Sequence, residues 1–182
     1  MDIKLSEERL KIIRYDKLKA EFKPWTQHYL SVAAALIDFI RTAEFDVIHI
    51  GSTSAMVGGK GIIDLSLLYK NGRLDAAVTH LKALGFQDQV SCSPFPAERP
   101  RKDGAVIYHG TKYYIHIHAI ADGSDEHRKQ LQYKEYLLAH PAVRLQYEES
   151  KQAILATGIC EQEAYGKQKS PFVKAVLSQI SP

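Results

Sequence analysis

An α/β (α+β) fold, with a small mixed β-sheet, flanking helices and a C-terminal helical segment, is predicted by three patterns in this 182-residue chain. Apolar, β-branched runs near glycines mark strands, apolar residues at three- and four-residue steps mark helices, and after Asp122-Gly123 only the helical step remains. The length suits one hydrophobic core, so residues 1–182 are read as a single domain, with a helical tail over about 124–182.

Taken in order, Pro24 suits a first helical turn, and Trp25, Tyr29, Val32, Ala33, Leu36, Ile37 and Ile40 then trace one helix face. "FDVIHI" and "GIIDLSLLY" read as strands because β-branched residues cluster in them. Asn71-Gly72 turns the chain into a helix carrying Leu74, Ala77, Val78, Leu81 and Leu84, which Gly85 ends. "FQDQVSC" suggests a short third strand, and "SPFPAERPRKDG" an exposed loop, because proline and charge crowd it. "AVIYHGTKYYIHIHAI" reads as a hairpin turning at Gly110. Helices are expected over about Ser124–Ala139, Pro141–Thr157 and Glu161–Ile180, with Pro141 starting one and Gly158 closing it.

Composition narrows function only loosely. The 24 lysines and arginines sit among 21 acids, so the formal net charge of +3 indicates no clear nucleic-acid partner and any basic patch must be local. No apolar run approaches the roughly 20 residues a membrane span needs, and the charged first residues lack an apolar signal core. Cys92 and Cys160 are far apart and form no disulfide framework, which fits a reducing, cytoplasmic compartment, with Cys92 an inert thiol. The oligomeric state is not legible.

The chemistry concentrates between residues 49 and 69, "HIGSTSAMVGGKGIIDLSLLY". Small residues after a strand let backbone N–H groups approach phosphate oxygens, and a serine hydroxyl adds a donor. An aspartate on the next strand then suits a Mg²⁺ bridging those oxygens. Strand alternation puts Asp64 and Ser66 on one face, with Ile63, Leu65 and Leu67 turned to the core. An unpaired aspartate there would be costly to bury, so it needs a metal, a cation or water; the plainer alternative is a hydrogen-bonded structural residue. His116 and His118 likewise share a face with Tyr114 and Ile120. If their strand lies beside that of Asp64, two imidazoles and a carboxylate make a set suited to zinc or a transition metal. The alternative for the histidines is a polar face under solvent. His49 reads more readily as a satisfied core residue than as a catalyst.

A strand ending in Gly-Ser followed by an apolar strand carrying aspartate resembles the nucleotidyltransferase active-site signature. With "HIGSTS", a lysine before "IID", the "HIH" strand, "YKEYLLAHPAVRLQYEESK" and "YGKQKSPFV", the chain from about Tyr15 to Phe172 resembles the GrpB family of that superfamily. The resemblance implies a nucleotidyltransferase-like fold and transfer of a nucleotidyl group from a nucleoside triphosphate to an unknown acceptor. It implies a divalent metal, Mg²⁺ first with Mn²⁺ or Zn²⁺ as alternatives, held by Asp64, His116 and His118. Asp64 and His118 become the catalytic residues, and Gly51, Ser52, Thr53, Lys60, Arg99 and Arg101 the substrate and phosphate contacts, Lys60 because the family keeps a lysine there and the arginines as bidentate clamps.

Two departures matter. "AMVGGKG" lacks the prolines usual in the family loop and is one residue shorter, which predicts a more flexible loop. Where active superfamily members carry two carboxylates spaced D-x-D, this strand reads Asp64-Leu65-Ser66. Ser66 therefore favours a second reading, a catalytically degenerate module that binds a nucleotide or coenzyme; a histidine-metal hydrolase is the third. Lys102, Lys112, Lys151, Lys167 and Lys169 read as solvated charges, and Tyr133, Tyr136, His140, Tyr147 and Tyr165 as helix packing.

Overall fold

A computed structural model of the chain describes residues 10–16, 19–91, 93–159 and 162–180; Cys92 and Cys160 lie outside them. Helix α1 (His28–Ile40) buries Tyr29, Val32, Ala33, Leu36 and Ile40, the stripe the apolar spacing predicts. Strand β1 (Asp46–Ile50) runs into a single helical turn, α2 (Gly51–Ser54), and strand β2 (Ile62–Tyr69) follows. Helix α3 (Leu74–Ala83) and the two-residue strand β3 (Gln87–Asp88) lead to a hairpin of β4 (Arg101–Tyr108) and β5 (Thr111–Ala121). The chain then folds as three helices, α4 (Asp125–Ala139), α5 (Pro141–Ala156) and α6 (Gln162–Ile180). Among the described residues no helix is long and apolar enough to cross a membrane.

The five strands form one mixed sheet in the order β1-β2-β5-β4-β3. Only the central pair, β2 with β5, is parallel, and its register sets Asp64 beside His116 and Ser66 beside His118. Across the hairpin, Asp103 pairs with His116 and Arg101 with His118. Directly paired residues share a face. One face of the sheet thus carries a row Asp64–His116–Asp103 beside a row Ser66–His118–Arg101. The hairpin turns through His109 and Gly110, at φ 46° and 76°. Positive φ at both central residues gives the turn twist that matches the strands.

The opposite face is apolar. Ile63, Leu65, Leu67, Ile115, Ile117 and Ala119 pack against Val32 and Leu36 of α1 and Ala77 and Leu81 of α3 in one buried cluster. At about 25 cal/mol per Å² of apolar surface removed from water, this cluster is the main source of stability, and it leaves the polar face free for other work. A second cluster joins Ala55 and Val57, just after α2, to Leu137 and Tyr147, with Phe172 and Val173 packed on it. It anchors the three C-terminal helices beside the Gly-Ser turn.

The structure corrects one expectation. The stretch Arg101–Gly104 is not exposed loop but the first half of β4. Lys102 donates to Asp88 Oδ1 at 2.6 Å, and Arg101 Nε lies 2.8 Å from Asp103 Oδ1. Pairing lets these charges enter a strand that composition alone marks as solvent-facing.

Candidate functional site

The site begins where β1 ends. Gly51 has φ +72°, and a Cβ built on it would lie 2.8 Å from Asp64 Oδ2, so a side chain there would both strain the backbone and strike the carboxylate. The turn is held from within: Ser54 Oγ donates to the Gly51 carbonyl at 2.7 Å, and Thr53 Oγ1 and His49 Nε2 share a hydrogen bond of 2.9 Å. Trp25 Nε1 donates to the Thr53 carbonyl at 2.8 Å. Thr53 is buried in these contacts. Ser52, by contrast, lines a pocket of about 350 Å³, together with Lys60, Asp64, Arg101, His116 and His118. A volume of that order suits a small-molecule site.

Asp64 keeps 27% of its side chain exposed, and its Oδ1 lies 3.5 Å from His116 Nδ1. Burial acts to raise its pKa, but the hydrogen bond from His116 and the charges of His116, His118 and Lys169 outweigh it and hold the carboxyl well below the usual range. Near neutral pH this keeps Asp64 a carboxylate. The other His116 nitrogen is occupied too: Nε2 shares a 3.1 Å hydrogen bond with Tyr15 Oη and stands 3.9 Å from Asp103 Oδ1. Burial, against the pull of Asp64, lowers His118 to about 4, which makes it a neutral imidazole near pH 7. The Phe95 ring meets it in a T-shaped contact, the ring centres 4.8 Å apart.

Four cations line this one pocket: Lys60, Arg101, Lys151 and Lys169. Lys60 Nζ sits 4.5 Å from the centre of the Tyr165 ring, and Lys169 Nζ lies 5.8 Å from the same ring. Lys151, on α5, is 2% exposed and donates to the Gly58 carbonyl at 3.2 Å. Arg101 is committed to Asp103, which is fully buried and also accepts from the Val90 amide.

These contacts fix which predicted residues meet. Gly51, Ser52, Lys60, Asp64, Arg101, His116 and His118 gather around one pocket. Thr53 faces His49 instead, and Arg99 stands outside the lining, 3.5 Å from Glu126 and 5.8 Å from the Phe95 ring. His49 is buried, and burial lowers its pKa to about 4. Ser66 is fully buried and donates to Gln130 Oε1 on α4 at 2.8 Å.

The GrpB family model, described as GrpB protein, matches residues 16–179, nearly the whole chain. The chain belongs to the GrpB family. A UPF0157 protein of Pseudomonas aeruginosa is 26% identical over 164 residues, which are 85% of this GrpB chain and 63% of that relative's length. Partial structural likenesses exist to the Cid1 poly(U) polymerase, with TM-score 0.47 and 12% identity over 74% of this chain and 42% of that one. The GLD-2/RNP-8 complex gives TM-score 0.47 and 14% identity over 90% and 62%.

The family resemblance implies a divalent ion. Asp64, His116 and His118 reach the same pocket, but among the described residues no three His, Cys, Asp or Glu side chains are set to hold a metal. Both His116 nitrogens already have partners, Asp103 is taken by Arg101, and the same walls carry three lysines whose ammoniums repel a dication. This donor set does not fit a resident Mg²⁺ or Zn²⁺, which prefers open oxygens or free imidazoles.

Sequence reasoning missed Asp103, and it read Lys151, Lys169 and Tyr165 as solvated charge or helix packing. The signal for the lysines was present: Lys151 falls on the stripe Val143, Tyr147, Ile154, and Lys169 on the stripe Tyr165, Phe172, Val176. A charge inside an apolar stripe is a buried or site-facing charge. Lys167, off that stripe, is 77% exposed and pairs with Glu163 at 3.4 Å.

Proposed function

We propose that this pocket binds the phosphates of a nucleoside triphosphate and transfers the nucleotidyl group to an acceptor hydroxyl or amine. One observation carries the reading: Asp64 stands against the Gly51–Ser52 turn inside a pocket walled by four cations. Ser52, Lys60, Lys151 and Lys169 hold the phosphate oxygens, and the charge that grows on the departing pyrophosphate meets those ammoniums. Asp64, held as a carboxylate, accepts a hydrogen bond from the acceptor and orients it. The acceptor's heteroatom bonds to the α-phosphorus as the α–β bridge breaks and pyrophosphate leaves, while the acceptor's proton is taken by Asp64 and passed on to neutral His118.

A second reading, a phosphate-ligand binding module without turnover, is favoured by Ser66. The position where a second carboxylate would stand is buried and bonded to Gln130.

The test is thermal melting with each common nucleoside triphosphate, followed by mass spectrometry of a metabolite extract incubated with nucleotide and protein. Nucleotides should raise the melting temperature, and extract components should gain a nucleotidyl mass. Asp64→Asn should keep the melting shift and abolish the mass gain. A shift without any adduct leaves the binding module; no shift from any nucleotide removes both readings.

A further inference from the structure

We infer that this pocket takes its polyphosphate free of divalent metal, with Lys60, Lys151 and Lys169 supplying the counter-charge that a bound cation would otherwise bring. The inference rests on the polyphosphate reading above and specifies the ligand's form. Three observations point to it. The lining sets four cations against two carboxylates, Asp64 and Glu163. Glu163 is drawn off by Lys167, and Arg101 by Asp103, so the three lysines remain to face Asp64.

The lysines are built into place rather than left on flexible stems. One aromatic ring carries two of them, since Tyr165 lies under both Lys60 and Lys169. The third, Lys151, lies over the Tyr147 ring at 4.3 Å, and Gly59 admits it: a Cβ there would come within 2.9 Å of its Nζ. Gathering ammoniums around one wall is unfavourable without an anion; for Lys151, burial first, then Lys169, push the pKa well below its ordinary value. Tyr165 adds a buried hydroxyl without a hydrogen-bond partner in the same wall. A highly charged anion relieves all of these together, whereas a metal–phosphate complex arrives with much of its negative charge already cancelled and adds a dication to the cluster.

Inorganic tripolyphosphate is the probe, with melting and isothermal titration calorimetry run in EDTA and again in excess Mg²⁺. Tripolyphosphate in EDTA should raise the melting temperature, and Mg²⁺, by complexing the free anion, should weaken the apparent affinity. Lys60→Met and Lys169→Ala should each weaken binding about tenfold or more, and Lys82→Ala, which changes an exposed lysine on α3 at the opposite face of the sheet, should leave it unchanged. Circular dichroism of each variant separates lost binding from lost folding. A shift that appears only with Mg²⁺ overturns the inference and keeps the triphosphate reading. Unaltered affinity in folded Lys60→Met and Lys169→Ala also overturns it. If neither tripolyphosphate nor any nucleoside triphosphate binds in either condition, the reading beneath it falls as well.

Discussion

At Gly51 two constraints meet at one atom. Its φ of +72° costs an L-residue roughly 1–2 kcal/mol, and a methyl group there would also displace the Asp64 carboxylate. Gly51→Ala should therefore lower the melting temperature and, unlike a purely local strain, remove nucleotidyl transfer; comparing melting with adduct formation checks both. Lys60 provides a pH signature. Burial first, then the charges of Lys169 and Arg101, outweigh Asp64 and bring it to about 8 from 10.5. Between those values the unfolded chain binds more protons than the folded one, so this group's contribution to stability rises with pH over that window. Anion binding needs the ammonium and runs the other way. Affinity for tripolyphosphate should fall as pH rises through about 8, and the fall should be shallower in Lys60→Met; calorimetry across pH 7 to 9.5 measures it.

At the scale of elements, β4 decides the shape of the site because it brings Asp103 and Arg101 beside the two histidines. Asp103→Ala leaves Arg101 buried without its partner and the Val90 amide without its acceptor. Breaking a buried pair from one side costs about 3–5 kcal/mol, so this variant should melt well below the parent in urea and heat alike. The first half of that strand was hidden in the sequence, whereas its second half, Ala105–Tyr108, was legible in the hairpin. The faces of β2 and β5 were legible because Ile63, Leu65 and Leu67, and Ile115 and Ile117, alternate with polar neighbours. Arg101-Lys102-Asp103 follows a proline and reads as solvent, since nothing local reveals that Asp88 and Asp103 itself will neutralise those cations. Ser66 shows the same limit in reverse. Its place beside Asp64 was plain, but its commitment to Gln130, 64 residues away, belongs to tertiary structure.

For the whole molecule, the pocket is a meeting of distant segments: the β1 end, the loop before β2, the β4–β5 hairpin and two C-terminal helices each supply walls. The parallel pairing of β2 with β5 makes this possible, because it sets residues about fifty positions apart in one row. From the letters alone the sheet side of the site could be placed conditionally, on the assumption that those strands are neighbours. The helical side could not, because the packing of Tyr147 on Phe172 that holds α5 to α6 lies in the angle between helices, not in either periodicity.

Helix α6 contributes Glu163, Tyr165, Gly166 and Lys169 to the lining, and only its outer half, at Phe172 and Val173, is packed into the apolar cluster around Tyr147. An occupant of the pocket therefore clasps the front of this helix against the sheet. Deuterium uptake should register that grip: amides across 163–170 should exchange more slowly when tripolyphosphate saturates the protein, while those of β5, already locked in the middle of the sheet, should keep their pace.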